Sequence, residues 1–407
     1  MSYILYWMES SQRTRYNFAL EKAVELSNTY NLPLYVINYN LFPKRLKRKK
    51  LLLEQGFLDI YLNLKKRKIN YILLKKSESL KLIEILEKSK YVVTEKNYLK
   101  EIISKKNKII KEFKEKVILI ENETTIPVSI LSTKEEYNAR TLRIKYNKIK
   151  DEYLRKFKEN IYLKKNSIPD LDKLIKKHRN TEKKLLDGDF LGGENEALKT
   201  LDYFIKNNLK DYSKRPMTMD STSKLSIYLA CGQISPLEIA LKIRDNNFLE
   251  ELLIRRELSY NFVNYNKGYN LWEKMTYSWA HETMKVHEKD KREYIYTKKD
   301  LENYKTHDLY WNFAQKTIVS TGFLHGYLRM YWCKKIIAWS KTPKEAYTIS
   351  KYLNNKYFYD GDTPNSYAGI AWCFGKHDRA WKEREVLGKL RYMSTNGLIK
   401  KFEKLGD

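Results

Sequence analysis

A chain of 407 residues with 42% hydrophobic side chains and 33 tyrosines is long and apolar enough for two domains with sizeable cores, which excludes a disordered chain. No apolar run approaches the length of a membrane span, and the opening MSYILYWMESSQ lacks a charged n-region and a long apolar stretch, so neither a membrane protein nor a secreted one is expected, and the place expected is cytoplasmic. The net charge of +29 predicts a polyanionic partner, although heavy use of Lys, Asn, Ile and Tyr is also what an AT-rich genome writes into a solvated surface.

Residues 1–131 alternate short apolar runs with amphipathic segments. The runs are Tyr3–Met8, Leu32–Tyr39, Ile69–Leu74, Tyr91–Thr94 and Val117–Ile120, and helical patterns cover Arg15–Thr29, Arg45–Lys65, Glu78–Lys88 and Leu99–Glu112. Strand and helix at this period predict a doubly wound parallel sheet. No G-x-G-x-x-G follows the first strand, so an ordinary dinucleotide site is not expected there. Residues 132–190 read as a charged interdomain linker, lysine-rich from about residue 150. Gly/Asp punctuation in LDGDFLGGENEAL then opens a second domain, 191–407, in which nearly everything reads as helix. Seven of the eight tryptophans lie beyond residue 270, as a large all-α domain enclosing a flat aromatic ligand would need. YLNNKYFYDGDTPNSYAGIAW (Tyr352–Trp372) reads as loop on its Gly361, Pro364 and Gly369.

Lys305–Trp339 is the richest stretch, with Trp311, Trp332 and Trp339. A helix is expected over Phe323–Trp339, where Arg329, Trp332, Ile336 and Trp339 form one stripe. Trp332 and Trp339 would stand about 10 Å apart along its axis, a plausible spacing for passing an electron. An arbitrary aromatic stripe is more often core.

Other residues carry weaker signals. Ser221, Thr222, Ser223 and Ser226 cluster before an apolar turn, where hydroxyls and a helix N-terminus could hold a diphosphate, or could simply cap. Glu250 and Glu251 sit on an otherwise apolar helix, where buried acids need partners; one could face solvent and the other a cavity. Cys231, Cys333 and Cys373 are scattered, which suits buried thiols in a reducing compartment. The six histidines show no metal spacing, so no catalytic metal is expected, and His307 and His377 read as structural hydrogen-bond groups.

THDLYWNFAQ, TGFLHGYLRMYWCKKIIAW, YLNNKYFYDGDTPNSYAGIAW and HDRAWKEREVLGKLRYM closely resemble, in order, the class II cyclobutane pyrimidine dimer photolyases of the photolyase/cryptochrome family. YILYWMESSQRTRYNFAL and the E-Y-x-A-R-T string at Glu136–Thr141 extend the likeness more weakly. The resemblance implies an α/β N-terminal doubly wound parallel-sheet domain plus a large all-α C-terminal FAD-binding domain. A second, antenna chromophore of deazaflavin or folate type binds the N-terminal domain of some members. FAD would be held by Tyr212, Arg215, Ser221, Thr222, Ser223, Leu225, Ser226, Arg329, Asn354 and Asp360. Asn354 matches the asparagine facing flavin N5, able to donate to or accept from it, and Asp360 the acid paired with Arg329. Glu251, Met330 and Trp372 match lesion-touching residues, Glu251 as the hydrogen-bond partner of the damaged pyrimidine, with Glu250 facing solvent or an arginine. Trp332 would give the flavin its first electron, and Trp311 and Trp339, with Tyr296, would refill it from nearer the surface. The chain departs from the family pattern at Pro216, Ile227, Arg255 (where a tryptophan often stands), Asp362 and Thr363.

The activity implied is light-driven repair of cyclobutane pyrimidine dimers by electron transfer from excited reduced FAD to a flipped-out lesion, by a monomer acting on damaged double-stranded DNA. The alternative is a cryptochrome-like flavin photoreceptor without repair. A nucleic-acid-binding protein with a degenerate flavin pocket is a third reading.

Overall fold

A computed structural model describes residues 2–43, 46–164, 190–214, 217–218 and 221–402. Most of the lysine-rich part of the expected linker (165–189), and with it His178, lies outside the described residues, as do Arg215 and Pro216. The chain forms two compact units, Met1–Leu131 with Tyr146–Asp202 and Leu225–Arg244, and Ser132–Lys145 with Tyr203–Lys224 and Asp245–Asp407.

The first unit is built on five parallel strands: β1 (Tyr3–Met8), β2 (Leu34–Asn38), β3 (Asn70–Leu73), β4 (Ser89–Glu95) and β5 (Val117–Ile120). Helices α1 (Phe18–Tyr30), α2 (Lys47–Lys66), α3 (Ser79–Lys88) and α4 (Lys100–Ile110) connect them. Parallel strands need such crossovers, and strands covered on both faces read as unbroken apolar runs, which is why YILYWM shows no alternation. The order β3-β2-β1-β4-β5 puts β1 in the middle and reverses the winding between β1 and β4. In such sheets the crevice beyond the carboxyl ends of those two strands is the usual ligand position. Here those ends carry Glu9 and Glu95, both fully buried. Glu95 accepts from the Tyr6 hydroxyl at 2.5 Å and the Glu9 backbone N–H at 3.0 Å, and Glu9 accepts from Asn97 at 2.6 Å. Burial holds the Glu9 carboxyl above its usual range, against the opposing pull of Lys106.

The second unit is helical. Those of its helices that carry the site are α5 (Arg256–Tyr265), α6 (Leu309–Thr321), α7 (Gly326–Trp339), α8 (Pro343–Tyr357) and α9 (Pro364–Cys373). Their starts follow simple capping chemistry. Asp308 accepts from the Trp311 N–H to open α6, and Gly322 closes that helix at φ 68°. Two Thr-Pro pairs open α8 and α9: Thr342 and Thr363 accept from the third helical N–H, and the proline has no N–H to leave orphaned.

Those caps correct the expected loop over Tyr352–Trp372. Residues 352–357 complete α8, residues 364–372 lie in α9, and only Phe358–Thr363 is a turn. Gly361 belongs to that turn because an added Cβ would stand 2.8 Å from the Asn354 carbonyl oxygen. Asp362 holds the left-handed conformation at φ 53°. Its backbone N–H donates to Asn355 Oδ1 and its carboxylate accepts from the Tyr367 hydroxyl at 2.6 Å. Both departures from the family string thus have local work: Thr363 caps α9 and Asp362 pins the turn.

No helix among the described residues is long and apolar enough to cross a membrane. All three cysteines are buried free thiols, and the described residues contain no group of three or more metal-ligating side chains.

Candidate functional site

The second unit gathers Arg329 from α7, Asn354 from the last turn of α8, and Asp360 from the turn after it. Arg329 donates to both Asp360 oxygens, at 3.1 and 2.8 Å, and to Asn354 Oδ1 at 2.7 Å. Its guanidinium also lies 3.7 Å from the centroid of the Phe358 ring. A forked pair to one carboxylate fixes the plane of the cation, so the charge is oriented rather than mobile. Asn354 is buried, and its amide nitrogen donates to Asn355 Oδ1 at 2.9 Å and Ser366 Oγ at 2.8 Å.

Beyond Phe358 lies the tryptophan chain. Trp332 meets Phe358 edge-on at 6.3 Å, and its indole N–H donates to the buried Gln315 side chain at 2.8 Å. The Trp311 indole N–H donates to the Trp332 carbonyl at 2.9 Å, and the Trp311 ring meets Trp339 at 5.7 Å. Trp339 in turn touches Tyr296 at 5.6 Å and His307 at 5.1 Å, and His307 stacks on the exposed Tyr294 at 3.6 Å. All three tryptophans are buried, Trp311 at 0%, Trp332 at 1% and Trp339 at 5% exposed, so the expectation that Trp311 lies nearer the surface than Trp332 is corrected. The tyrosines and His307 reach solvent instead. Trp311 is buried because its helix is capped beneath it by Asp308 and its indole N–H is satisfied inside the core.

Glu250 and Glu251 occupy a widened, π-type turn, Glu250–Arg255, between Asn246–Leu249 and α5. Such turns shift the register of a helix and cluster at functional sites. Glu250 is held by Arg143 through a forked pair at 2.9 and 2.6 Å. The Glu251 side chain is 54% exposed and pairs, among the described residues, with the Arg255 Nε at 3.0 Å. Crowding by protein raises the Glu251 pKa, Arg255 pulls it down, and Glu250 adds to the rise. Arg255 also lies 5.0 Å over the Trp372 ring and so joins Glu251 to Trp372. Met330 is half-buried, next to Arg329 on α7. The spacing of sequence alone could not show Arg255 as the link, because that contact spans two helices.

The hydroxyl-rich segment is less regular. Ser221 donates to the Thr218 carbonyl at 2.8 Å, as a turn hydroxyl does, and Ser223 precedes Lys224, which holds φ 56°. The Thr222 hydroxyl is buried and unpaired, which leaves a donor for an incoming acceptor. Tyr212 packs its ring on Phe204 and Phe248, at 5.9 and 5.3 Å, and burial pushes its pKa up. Leu225 and Ser226 fall in the first unit, where Leu225 is buried and Ser226 starts the short helix Ser226–Ala230, with Ile227 buried behind it. An oriented cation, a buried amide beside it and an orphaned hydroxyl suit a flat, anion-prone ring carrying a diphosphate.

One further cluster was not anticipated. Trp381 is 37% exposed, and its ring is flanked by Arg379 at 5.0 Å and Arg391 at 5.2 Å, while Arg384 lies 4.7 Å over the exposed Tyr392. Exposed aromatic rings interleaved with arginines are the surface chemistry of unpaired bases and phosphates. The run HDRAWKER was legible in sequence, but the return of Arg391 to Trp381 was not.

Residues 4–162 match the family model described as DNA photolyase. The deoxyribodipyrimidine photo-lyase of Methanothermobacter thermautotrophicus is 38% identical over 426 residues, covering 98% of this chain and 92% of that protein. The enzyme of the same name from Arabidopsis thaliana is 36% identical over 431 residues, covering 98% and 86%. Among solved structures, a bacterial class III photolyase from Agrobacterium tumefaciens superposes with a TM-score of 0.69 at 18% identity, covering 92% of this chain and 80% of that one. A five-stranded parallel sheet followed by a mostly helical remainder is the architecture of that fold. With near-complete coverage by relatives above a third identical, the chain belongs to the DNA photolyase family, whose cofactor is FAD.

Proposed function

We propose that this chain is a class II cyclobutane pyrimidine dimer photolyase, which repairs dimers in double-stranded DNA under light. The observation that carries the reading is the Arg329–Asn354–Asp360 cluster, joined to the buried tryptophans through Phe358. FAD, when bound, supplies the light-driven electron chemistry.

The chain's own residues bind, orient and exclude. Arg329 stabilises negative charge on the flavin ring while Asp360 keeps the guanidinium from swinging away. Asn354 would hold the N5 edge of the bound flavin. The Thr222 hydroxyl and its neighbours Ser221 and Ser223 serve the diphosphate, and Tyr212 backs that segment with its aromatic cluster. With FAD bound, Trp332, its indole N–H tied to Gln315, would be the residue to pass an electron inward, with Trp311 and Trp339 behind it. Glu251 is the hydrogen-bond partner of the damaged pyrimidine, and Trp372 and Met330 flank the lesion. Trp381, Arg379 and Arg391 face the DNA around the extruded dimer.

A light-dependent repair assay on a defined thymine dimer, with a dark control and an absorbance spectrum of the same sample, tests the reading. Repair in light alone, by yellow protein, is the expected result. A flavin spectrum with no repair would point instead to a light sensor, and no flavin band at all would remove both.

A further inference from the structure

Arg329 and Arg255 both stand in the site, and they are held very differently. Arg329 is fixed by its fork to Asp360 and its bond to Asn354. Among the described residues Arg255 has no such fork. Its Nε lies 3.0 Å from Glu251 Oε1 and 3.9 Å from Glu250 Oε1, yet this buried N–H makes no hydrogen bond. At 3.0 Å the distance is right and only the direction is wrong. Glu250 is already forked to Arg143, and Glu251 is more than half exposed, so neither acid pins the guanidinium. It also lies 5.0 Å over the half-buried Trp372 ring. An exposed ion pair four residues apart and one cation on a partly exposed ring together favour this placement by only about tenfold.

What Arg255 covers follows from those two contacts. A base stacking on that face of Trp372 needs the space the guanidinium takes, and a pyrimidine reaching Glu251 meets a carboxylate with a cation already beside it. One side chain thus stands in for the lesion at both of its partners. DNA brings the anion that can draw it away. A guanidinium holds phosphate through paired, charge-assisted hydrogen bonds, which are stronger than either contact Arg255 makes here, and its Nε–H is still without an acceptor.

We propose that Arg255 is a specificity-determining residue: it fills the lesion slot of the free protein and, when a dimer enters, exchanges Glu251 and Trp372 for a backbone phosphate beside the lesion. Undamaged duplex leaves the slot empty of any base and does not trigger the exchange, so one phosphate contact is made with damaged DNA alone. The inference rests on the assignment of Glu251 and Trp372 to the lesion.

The test is binding in the dark, by fluorescence anisotropy over a range of salt, of the FAD-loaded protein to a duplex with one thymine dimer and to the same duplex undamaged. In Arg255→Gln the log–log salt slope for the dimer duplex should fall by about one, while the slope for the undamaged duplex stays that of the wild type. A fourfold rise in salt should therefore cost the wild type roughly three- to fourfold more dimer affinity than the variant. Arg255→Lys keeps a charge for the phosphate and should keep the wild-type slope. Arg255→Met serves if the glutamine variant does not fold. Equal falls on both duplexes would make Arg255 an ordinary DNA contact and overturn the exchange. Unchanged slopes on both would show that it stays on Trp372 and Glu251 while the dimer binds, which overturns it as well. Wild-type protein that binds the two duplexes alike would instead remove the assignment of this site to a lesion, and the inference with it.

Discussion

Burial holds the His377 imidazole neutral. Its Nδ1 sits 2.8 Å from the Tyr137 carbonyl, its ring lies against Phe262 and Trp372, and the Lys376 ammonium is next in the chain. Desolvation, with a smaller push from Lys376, drives its pKa down to about 3 from 6.5. An unfolded chain takes up this proton as pH falls below 6.5, while the folded chain refuses it until about 3, so stability is lost as pH drops through that window. From pH 7 to pH 5 this one group costs about 2 kcal/mol. Buried Glu9 and Glu194, whose pKa values are raised, act in the opposite direction, so the difference between wild type and His377→Gln isolates the effect. Urea melts of both proteins at the two pH values should show the variant losing less, and parallel losses would refute the assignment. Glu251→Ala is the second test at this scale. Repair per absorbed photon should fall by a few-fold to tenfold with an unchanged flavin spectrum, the cost of one hydrogen bond to a charged or polarised partner. Equal repair would move the role away from Glu251, leaving Glu250 as the next candidate although Arg143 already binds it.

Among the elements, α7 carries both Arg329 and the tryptophans, and its worth as a relay is tested by Trp332→Phe. Phenylalanine fills most of the volume but leaves the Gln315 oxygen without the indole N–H, so the cost should be on the order of 2–3 kcal/mol. Photoreduction with an external donor should be largely lost, while chemically reduced protein still repairs in light. Normal photoreduction would return Trp332 to ordinary packing. How legible these elements were follows from what each depends on. Tyr3–Met8 and Val117–Ile120 were read to the residue because an apolar run between crossovers has no competing assignment. The stripe on α7 was read because helical spacing alone creates it. Tyr352–Trp372 was read as loop because its glycine, aspartate and proline cluster outweighed the Thr-Pro start of α9 in a count of composition. The π-type turn at Glu250 and the pairing of Arg255 with Trp372 left no local pattern, since partners far along the chain decide them.

At the scale of the whole molecule, charge is the feature sequence displays most openly and places least. Some of the lysines are matched by a nearby acid, such as the helix pairs Lys22–Glu25 and Lys105–Glu101, and so add nothing to the net +29. Pairs of that kind contribute little to stability. If the remainder serves DNA, affinity for a dimer-containing duplex should fall steeply with salt, linearly in log–log form. Arg391→Ala should weaken binding and reduce that slope by about one if the arginine meets a phosphate. A slope unchanged in the variant would confine Arg391 to stacking on Trp381.

The widened turn at Glu250–Arg255 has a consequence for how this helix can change by insertion and deletion. A π-type turn holds one residue more than the α-helical turn it replaces. Deleting a single residue there would restore ordinary pitch, and everything before the cut would rotate by about 100° about the axis relative to α5. Glu250 and Glu251 could not then keep both of their arginines, Arg143 on one side and Arg255 on the other. The helix is therefore intolerant of length change at this point even though its side chains are partly exposed, and substitutions should survive there far more often than one-residue gaps.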